Sequence, residues 1–467
     1  MPSFTRTMPR IRTLLLLLGD IFVIYVTILA TAWGIAKSER FWAYDFTIYI
    51  TDERTLPSTA ISCASILLVL YFLGLYDELQ SASSRMMIEN LMLVLGFTMI
   101  IQALVSYSRT GYEMPRWLML FGGPLVMVTL SLWRVWYRKV LLGTAGRQRV
   151  VLVGNTGVSR QVLEQIQAHP ELGYEVLCCF RQAGEEDMQS VETLAIESAV
   201  SQQIESLKPE RIAVSGTIDL DDKLSRQLLS FSMQGIQVEN MGDLYENLFG
   251  RISVDSVTIN QLIFSASLRP RAWVVMTQEI YGRLLAALGL AIAWPFMLLT
   301  AVAVRLDSEG PALLRQTRLG RGGKPFSFLK FRSMYVNADA LTGPVRAQQN
   351  DPRITRVGKW IRLTRLDELP QLINVLKGDI FLVGPRPEMP ALEAKLLADI
   401  PLYPQRHRIK PGITGWAQIH HEPEDSIAST RKKLEYDLYY IKHMGIALDM
   451  MILFHTVKAV LLRIGAR

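Results

Sequence analysis

Four long apolar stretches open this chain and constrain its fold more than any other feature. They lie at residues 11–33, 60–76, 87–107 and 117–136. Each is close to the roughly 20 residues that a helix needs to cross the hydrocarbon core of a bilayer. A buried core helix is an alternative for any single stretch, but four in succession favour a four-helix transmembrane bundle over residues 1–145. Because further apolar stretches follow the first one, we interpret it as an anchor and not as a cleaved signal peptide.

Basic residues flank this segment on both sides: Arg6, Arg10, Arg12, Arg138, Lys139, Arg147 and Arg149. Lys and Arg favour the cytoplasmic side of a membrane, so both ends of the bundle are expected there. One acid, Asp20, lies inside the first stretch. It is either a functional intramembrane acid or a packing or interfacial residue, and the sequence leaves both interpretations open.

The composition limits the remaining classes. With 467 residues, the chain is too long for one compact core, and its mixed composition excludes disordered, collagen-like and coiled-coil proteins. Three cysteines cannot build a disulfide framework, so the soluble part is expected to face a reducing compartment. The net charge of +7 indicates anionic partners, among which nucleic acid, lipid headgroups and phosphorylated substrates are the candidates.

Residues 146–265 have the pattern of a soluble α/β domain. Expected strands at 150–153, 174–180 and 211–214, with a helix at 158–168 after the first, are typical of a βαβ unit and predict a Rossmann-like domain. The turn Gly154-Asn155-Thr156-Gly157 lacks the full glycine spacing of a dinucleotide site, and no acid ends the second strand. We therefore favour a structural or regulatory role over nucleotide binding, which remains an alternative.

A fifth apolar run, residues 284–304, opens the third predicted domain, 266–467. Pro295 lies near its middle, where it removes a helical hydrogen bond and clashes with the preceding turn. A full crossing and a broken re-entrant helix are both compatible with this length. Arg283 and Arg305 flank the run, and the preference of basic residues for the anionic cytoplasmic leaflet favours re-entry.

The region after this run is rich in short basic and acidic motifs. The residues that carry chemistry are Gln316, Arg318, Lys330, Arg332, Asp367, Glu368, Arg386 and Thr414. The adjacent carboxylates Asp367 and Glu368, on a helix expected over residues 360–376, repel each other unless a cation lies nearby. Mg²⁺ would neutralise the pair and bind pyrophosphate oxygens, and the arginines suit phosphate, so the pattern indicates phosphoryl transfer. The alternative is a solvated helix face beside arginines that bind lipid headgroups.

These motifs resemble the bacterial sugar transferase family, the monotopic phosphoglycosyl transferases. The matching pieces are the proline-interrupted apolar helix, Gln316-x-Arg318-x-Gly320, Lys330-Phe331-Arg332-Ser333-Met334, Leu366-Asp367-Glu368-Leu369-Pro370-Gln371, Gly384-Pro385-Arg386-Pro387 and Pro411-Gly412-Ile413-Thr414-Gly415. The four-helix segment and the Rossmann-like domain resemble the long form of the family. The resemblance therefore covers nearly the whole chain, and its specific motifs lie in the C-terminal domain.

The resemblance implies an activity and roles for the matching residues. Long-form members transfer hexose-1-phosphate, mostly glucose or galactose, from a UDP-hexose to undecaprenyl phosphate. UMP is released, and the product starts exopolysaccharide or O-antigen synthesis. By this likeness Asp367 is a nucleophile that forms a covalent phosphosugar-aspartate, and Glu368 is its partner near Mg²⁺. The substrate- and phosphate-binding residues are then Lys330, Arg332, Arg318, Arg386, Gln316 and Thr414. Asp437 and Asp449 match polar positions of the family without an assigned role.

The resemblance also implies a location and partners. We expect a multi-pass protein of the bacterial inner membrane, with a mixed α/β catalytic domain on the cytoplasmic face that contacts membrane lipid. A homodimer is expected, and nucleic acid is not expected as a partner. The competing hypotheses are a membrane-anchored nucleotide-sensing protein and a scaffold for polysaccharide assembly. The scaffold would tolerate loss of Asp367, whereas the enzyme would not.

Overall fold

The structure is a computed structural model. It describes residues 4–37, 52–53, 55–72, 75–76, 84–107, 116–145, 147–182, 187–188, 190–196, 200–216, 218, 221–255, 268, 270–336, 351–421 and 426–461. The chain divides into two compact units, Met1–Leu248 and Phe249–Arg467.

The first unit begins with four apolar helices. They are α1 (Phe4–Lys37), α2 (Thr55–Phe72), α3 (Ser84–Tyr107) and α4 (Arg116–Ala145). Side chains from all four meet in one apolar cluster that includes Ile24, Leu70, Leu91 and Leu130. Among the described residues, three helical segments are long and apolar enough to cross a membrane: Leu14–Lys37, Trp117–Tyr137 and Ala272–Asp307. The segments Pro57–Tyr71 and Leu91–Val105 are apolar but shorter, so four crossings remain a prediction.

Asp20 is fully buried among these helices and pairs with a cation. Its carboxylate lies 2.6 Å from Arg134 Nη2 and accepts a hydrogen bond from the Tyr76 hydroxyl at 2.9 Å. Arg134, also buried, donates to the Leu75 carbonyl at 3.1 Å. A buried charge needs a partner, and this pair joins α1 to α4 and to the residues after α2. The contacts favour the packing interpretation of Asp20.

The second half of the first unit is a parallel α/β domain. Among the described residues its strands are β1 (Gln148–Val153), β2 (Tyr174–Arg181), β3 (Thr193–Ala195), β4 (Arg211–Val214) and β5 (Gln237–Asn240). The helices are α5 (Gly157–Ala168), α6 (Val200–Leu207), α7 (Asp222–Met233) and α8 (Met241–Phe249). The strand order is β3-β2-β1-β4-β5, with every pairing parallel. The three strands and the helix expected from the sequence are confirmed.

The second unit is built around one long helix, α9 (Ala272–Asp307), which contains Pro295. Both halves of α9 contact the same unit. In the first half, Gln278 donates to the Val383 carbonyl at 2.9 Å. In the second half, Val304 packs with buried apolar side chains, and Asp307 accepts a hydrogen bond from the Val357 amide at 2.9 Å.

Short elements complete the second unit. They are β6 (Leu313–Leu319), β7 (Pro325–Phe331), α10 (Arg356–Leu363), α11 (Gln371–Lys377), β8 (Phe381–Val383), α12 (Pro390–Asp399), β9 (Gly412–Thr414), α13 (Trp416–His420), α14 (Ile427–His443) and α15 (Ile446–Leu461). The strands β6 and β7 form an antiparallel hairpin, and β8 pairs with β9 in parallel. These pieces bring separate sequence motifs to one place.

The single helix expected over residues 360–376 is wrong. The helix α10 ends at Leu363, a short 3-10 helix covers Leu366–Glu368, and α11 starts only at Gln371. Arg365 adopts φ 57°, a left-handed conformation that interrupts an α-helix, and Pro370 lacks the amide that a continuous helix would use.

Candidate active site

Asp367 and Glu368 lie on the short 3-10 helix between α10 and α11. The left-handed Arg365 precedes this helix, and its carbonyl accepts a hydrogen bond from the Glu368 amide at 3.2 Å. A non-glycine residue at positive φ costs free energy and is common at functional sites. Successive residues of a 3-10 helix are rotated by about 120°, so the two adjacent carboxylates can have different neighbours.

Glu368 is held by arginines. Arg386 Nη2 donates to its Oε1 at 2.9 Å, and Arg365 Nη1 lies 3.7 Å from the same oxygen. Burial alone would raise the pKa of Glu368, but the charge and hydrogen bond of Arg386 outweigh it, with help from Arg365 and Lys330, and the pKa is lowered. The Glu368 charge in turn raises the pKa of Arg386. Glu368 is therefore a carboxylate fixed in its ionised form.

Asp367 has a different environment. Its carboxylate makes no hydrogen bond or ion pair with any residue that the structure describes. Burial, and next the charge of Glu368, raise its pKa to about 6, against the opposing charges of Lys330, Arg362 and Arg386. An unpaired carboxylate that is ionised near neutral pH and faces cations is suited to attack a phosphorus atom.

Lys330 lies on β7 and places a positive charge near Asp367. Burial, followed by the charge of Arg318, lowers its pKa to about 8, while Asp367 acts in the opposite direction. Lys330 is thus protonated at neutral pH but loses its proton more easily than an exposed lysine. The structure therefore brings together four of the residues predicted from the sequence, namely Asp367, Glu368, Lys330 and Arg386.

Arg318 and Gln316 lie near this group, but their polar atoms contact the protein. Arg318 donates through Nη1 to the Pro387 carbonyl at 3.0 Å and through Nη2 to Gln316 Oε1 at 2.9 Å. Its guanidinium also lies 5.6 Å from the centroid of the Phe328 ring. These contacts hold the loop that carries Arg386, and a direct role of the two residues in phosphate binding stays a prediction.

Arg332 and Thr414 make their contacts elsewhere. Arg332 is buried and donates to the carbonyls of Ser308 and Glu309, each at 2.6 Å, just past the end of α9. The Thr414 hydroxyl forms a 2.7 Å hydrogen bond with Thr456 on α15. The structure assigns Arg332 to the C-terminal end of α9 and Thr414 to the junction of β9 and α15. Their role as substrate ligands is a prediction that these contacts do not favour.

Two buried acids, Asp437 and Asp449, have no role assigned from the sequence motifs. Asp437 pairs with Arg406 at 2.8 Å. Asp449 accepts hydrogen bonds from Gln278 at 2.8 Å, from Tyr440 at 2.7 Å and from Tyr281. Burial raises the pKa of Asp449 to about 6, although its three hydrogen-bond donors oppose this shift. Asp449 therefore ties α15 to α9, and Asp437 belongs to a charged cluster around Arg406 that the spacing of the motifs did not reveal.

The described residues contain no group of three or more His, Cys, Asp or Glu side chains that could hold a metal. Mg²⁺ does not require one, because it keeps several waters and is often bound by one or two carboxylates and substrate phosphates. The free carboxylate of Asp367 beside Glu368 fits that donor set.

Two family models match the chain. The one described as bacterial sugar transferase covers residues 273–463, which includes α9 from its second residue onward and all four clustered residues. The one described as CoA-binding domain covers residues 71–214, which extends from the first helices into the parallel sheet. The first match agrees in position with the site described above.

The loop after β1 is packed against neighbouring side chains. Gly154 has φ 102°, and Ile218 packs directly against it. A Cβ atom added at position 154 would lie 2.8 Å from the Cβ of Ser215. Thr156 and Ser159 form a capping box at the start of α5, so amides that would face a phosphate already bind side chains. The structural or regulatory role of the domain, with nucleotide binding as the alternative, stays a prediction.

Sequence alignments with several relatives cover much of the chain. It is 41% identical over 249 residues to an Aeromonas hydrophila UDP-N-acetylgalactosamine-undecaprenyl-phosphate N-acetylgalactosaminephosphotransferase, covering 53% of this chain and 58% of that protein. It is 34% identical over 327 residues to a Xanthomonas campestris pv. campestris UDP-glucose:undecaprenyl-phosphate glucose-1-phosphate transferase, covering 67% and 66%. The matched region thus spans less than two thirds of each of these relatives. A Caulobacter vibrioides protein with the same name as the Xanthomonas relative is 41% identical over 196 residues, covering 41% of this chain and 72% of that protein. Together with the match over residues 273–463, this likeness shows that the chain belongs to the bacterial sugar transferase family.

Proposed function

We propose that this protein transfers a sugar-1-phosphate from a UDP-sugar to undecaprenyl phosphate and so starts exopolysaccharide or O-antigen synthesis. The observation that carries the proposal is the pair of adjacent carboxylates with unequal environments, in which Arg386 binds Glu368 and Asp367 is left unpaired. The names of the relatives supply the substrate class. They include both glucose and N-acetylgalactosamine as the transferred sugar, and glucose or galactose is the expectation from the sequence.

In the first step Asp367 attacks the β-phosphorus of the UDP-sugar. A bond forms between a carboxylate oxygen and phosphorus, the bond from that phosphorus to the bridging oxygen breaks, and its electron pair leaves with UMP. Lys330 and Arg386 place positive charge beside the phosphoryl oxygens, where negative charge must be neutralised in the transition state. The result is a phosphosugar ester of Asp367.

In the second step a phosphate oxygen of undecaprenyl phosphate attacks the same phosphorus. The bond to Asp367 breaks, the carboxylate is restored, and the product is undecaprenyl diphosphate-sugar. Because the donor product leaves before the acceptor reacts, the scheme requires ping-pong kinetics.

We include Mg²⁺ as the cofactor, with Asp367 and Glu368 as the residues that would hold it. When bound, Mg²⁺ supplies positive charge that neutralises diphosphate oxygens. The protein's own share of that task falls to Lys330 and Arg386, which lie beside the same carboxylates.

We further propose that residues 284–304 of α9 enter the inner membrane from the cytoplasmic side and return to it, kinked at Pro295. What supports re-entry is that Gln278, before this segment, and Asp307, after it, both bind the backbone of the catalytic unit. Leu288, Ile292 and Trp294, between them, are about 60% exposed, as lipid-facing residues would be. Single cysteines at positions 283 and 305 should react with a membrane-impermeant reagent from the same side. Labelling from opposite sides would show a full crossing.

The decisive experiment measures UMP release by the purified full chain with Mg²⁺, undecaprenyl phosphate and a UDP-sugar. UDP-glucose, UDP-galactose and UDP-N-acetylgalactosamine are compared. We expect release with at least one donor and none from Asp367→Asn. Mass spectrometry of protein incubated with donor alone should find the sugar phosphate on Asp367. An Asp367→Asn variant with unchanged turnover would reject Asp367 as the nucleophile. A wild-type chain that releases no UMP with any donor would favour the scaffold or nucleotide-sensing alternative. Light scattering of the same preparation in detergent measures its mass and tests the expected homodimer.

A further inference from the structure

A buried cluster of charged side chains lies behind Arg386, outside the groups that contact substrate in the proposed reaction. Its members are Glu388, Arg406, Lys433 and Asp437. Arg406 and Asp437 are each 2% exposed, and Glu388 is 5% exposed. Burying several charges is costly unless their geometry is well defined, so such a cluster calls for a reason beyond stability alone.

Arg406 is the centre of this cluster. Its Nη2 lies 2.8 Å from Asp437 Oδ2, and its Nη1 donates to the Tyr403 hydroxyl at 2.6 Å. Nη1 also lies 3.6 Å from Glu388 Oε1, which accepts a hydrogen bond from Lys433. Anionic and polar partners thus fix the orientation of the planar guanidinium on two sides.

Arg406 also reaches the backbone of the active site. Its Nη2 donates to the carbonyl of Arg386 at 2.8 Å, and the side chain of Arg386 donates to Glu368 at 2.9 Å. Arg406 is therefore two hydrogen bonds away from the carboxylate pair, and the connection passes through Arg386.

The backbone on both sides of Arg386 is held in the same way. The Pro385 carbonyl accepts from the Gly412 amide at 3.0 Å, the Pro387 carbonyl accepts from Arg318 at 3.0 Å, and the Glu388 carbonyl accepts from the Leu319 amide at 3.0 Å. Four successive carbonyls, from Pro385 to Glu388, thus have donors. The one at Arg386 depends on a buried side chain, while two of the other three depend on backbone amides.

We propose that Arg406, oriented by Asp437, is a positioning residue that fixes the backbone of Arg386 so that its guanidinium holds Glu368 beside Asp367. This inference rests on the proposed function. A fixed guanidinium matters because misplacing a catalytic group by about 1 Å can cost about 100-fold in rate. Lysine at position 406 keeps the charge but has no planar fork, so it cannot serve the Arg386 carbonyl, Asp437 and Tyr403 together.

The test is a single turnover of UMP release with excess UDP-sugar, using the donor that wild type prefers and no acceptor. The amplitude counts correctly folded sites, and the rate constant reports how well those sites are arranged. For Arg406→Lys and Asp437→Asn we expect a rate constant lower by about 10- to 100-fold at near wild-type amplitude. Tyr403→Phe removes a single partner of Arg406 and should give a smaller decrease, which keeps the test usable if the other variants fold poorly.

Glu435→Gln is the matched control. Glu435 is buried on α14, two residues from Asp437, and pairs with Arg251 at 3.5 Å instead of with Arg406. Its loss also disturbs a buried ion pair, but we expect the rate constant of the folded fraction to stay within about twofold of wild type.

A double-mutant cycle tests whether Arg406 acts through Arg386. In an Arg386→Gln background, Arg406→Lys should lower the rate constant further by less than about twofold, because the side chain that it positions is gone. A full additional decrease, or a loss of amplitude at unchanged rate constant in the single variants, would make Arg406 a purely structural residue and overturn the inference. If wild type releases no UMP with any donor, it is instead the proposed function that fails.

Discussion

The pH dependence of the donor half-reaction is the sharpest prediction from the site. In the proposed reaction Asp367 attacks phosphorus as a carboxylate, and in the protein without bound metal its raised pKa of about 6 means that this form is lost as the pH falls through 6. Lys330 must be protonated to attract phosphate, and its lowered pKa of about 8 means that its charge is lost as the pH rises through 8. The value of kcat/KM for the UDP-sugar should therefore follow a bell with limbs near these two values.

The pKa values set the size of the effect. At pH 5, one unit below its pKa, about a tenth of Asp367 is ionised, so kcat/KM should be roughly tenfold below its plateau. With the ordinary aspartate pKa of about 3.9, more than nine tenths would be ionised at pH 5 and the rate would barely change. At pH 9, about a tenth of Lys330 keeps its proton, which gives a similar loss on the alkaline side.

Lys330→Arg separates the two limbs. Arginine stays protonated throughout this range, so the alkaline limb should disappear while the acid limb near pH 6 remains. Lys324→Arg, an exposed lysine just before β7, is the control and should keep both limbs. The assay is UMP release from pH 4.5 to 9.5 at donor concentrations well below KM. In ping-pong kinetics, kcat/KM for the donor does not include the acceptor, whose phosphate also titrates. A flat profile between pH 5 and 7, or an alkaline limb that persists in Lys330→Arg, would refute the electrostatic assignment.

Three further predictions concern the cofactor and the first unit. Excess EDTA should stop UMP release and added Mg²⁺ should restore it, whereas full activity in EDTA would exclude the metal role of Asp367 and Glu368. Asp20→Asn should lower the free energy of unfolding by about 3–5 kcal/mol because it leaves the buried Arg134 without its carboxylate partner. The double variant Asp20→Leu with Arg134→Leu should recover much of that loss. Thermal unfolding in detergent measures both. Gly154→Ala should destabilise the first unit by about 1–3 kcal/mol because of its positive φ and the contact with Ile218, and an unchanged thermal midpoint would contradict that packing.

The sequence predicted the elements whose side chains have a clear pattern. Strand β1 is a run of buried valine and leucine, so it could be recognised, as could the glycine turn and the amphipathic helix after it. Strands β3 and β5 were missed because β3 has only three residues and β5 reads Gln-Val-Glu-Asn, without an apolar run. Their identity as strands depends on pairing with β2 and β4, which are distant in the sequence.

The residues of the candidate site also fall into those that a sequence pattern marks and those that it does not. The motifs identified Asp367, Glu368, Lys330 and Arg386, because carboxylates and cations next to glycine and proline turns are visible in a sequence. The motifs could not show that Arg332 caps the end of α9 or that Arg406 supports Arg386. Both arginines bind backbone carbonyls, and a carbonyl is present at every residue, so no residue type marks the partner. Such contacts depend on the tertiary fold.

The helix that was predicted wrongly bears on how the proposed site is arranged. Had residues 360–376 formed one helix, Asp367 and Glu368 would lie about 100° apart on its surface, without the left-handed turn at Arg365. The left-handed Arg365 ends α10 and places both acids in a single tight turn, with Arg365 and Arg386 around Glu368 alone. Glu368 takes the ion pairs and stays charged, and its charge, added to burial, raises the pKa of Asp367. Two neighbouring carboxylates thereby acquire different environments because the backbone between α10 and α11 departs from the helix that their sequence suggests. One is a fixed anion, and the other is the nucleophile of the proposed reaction.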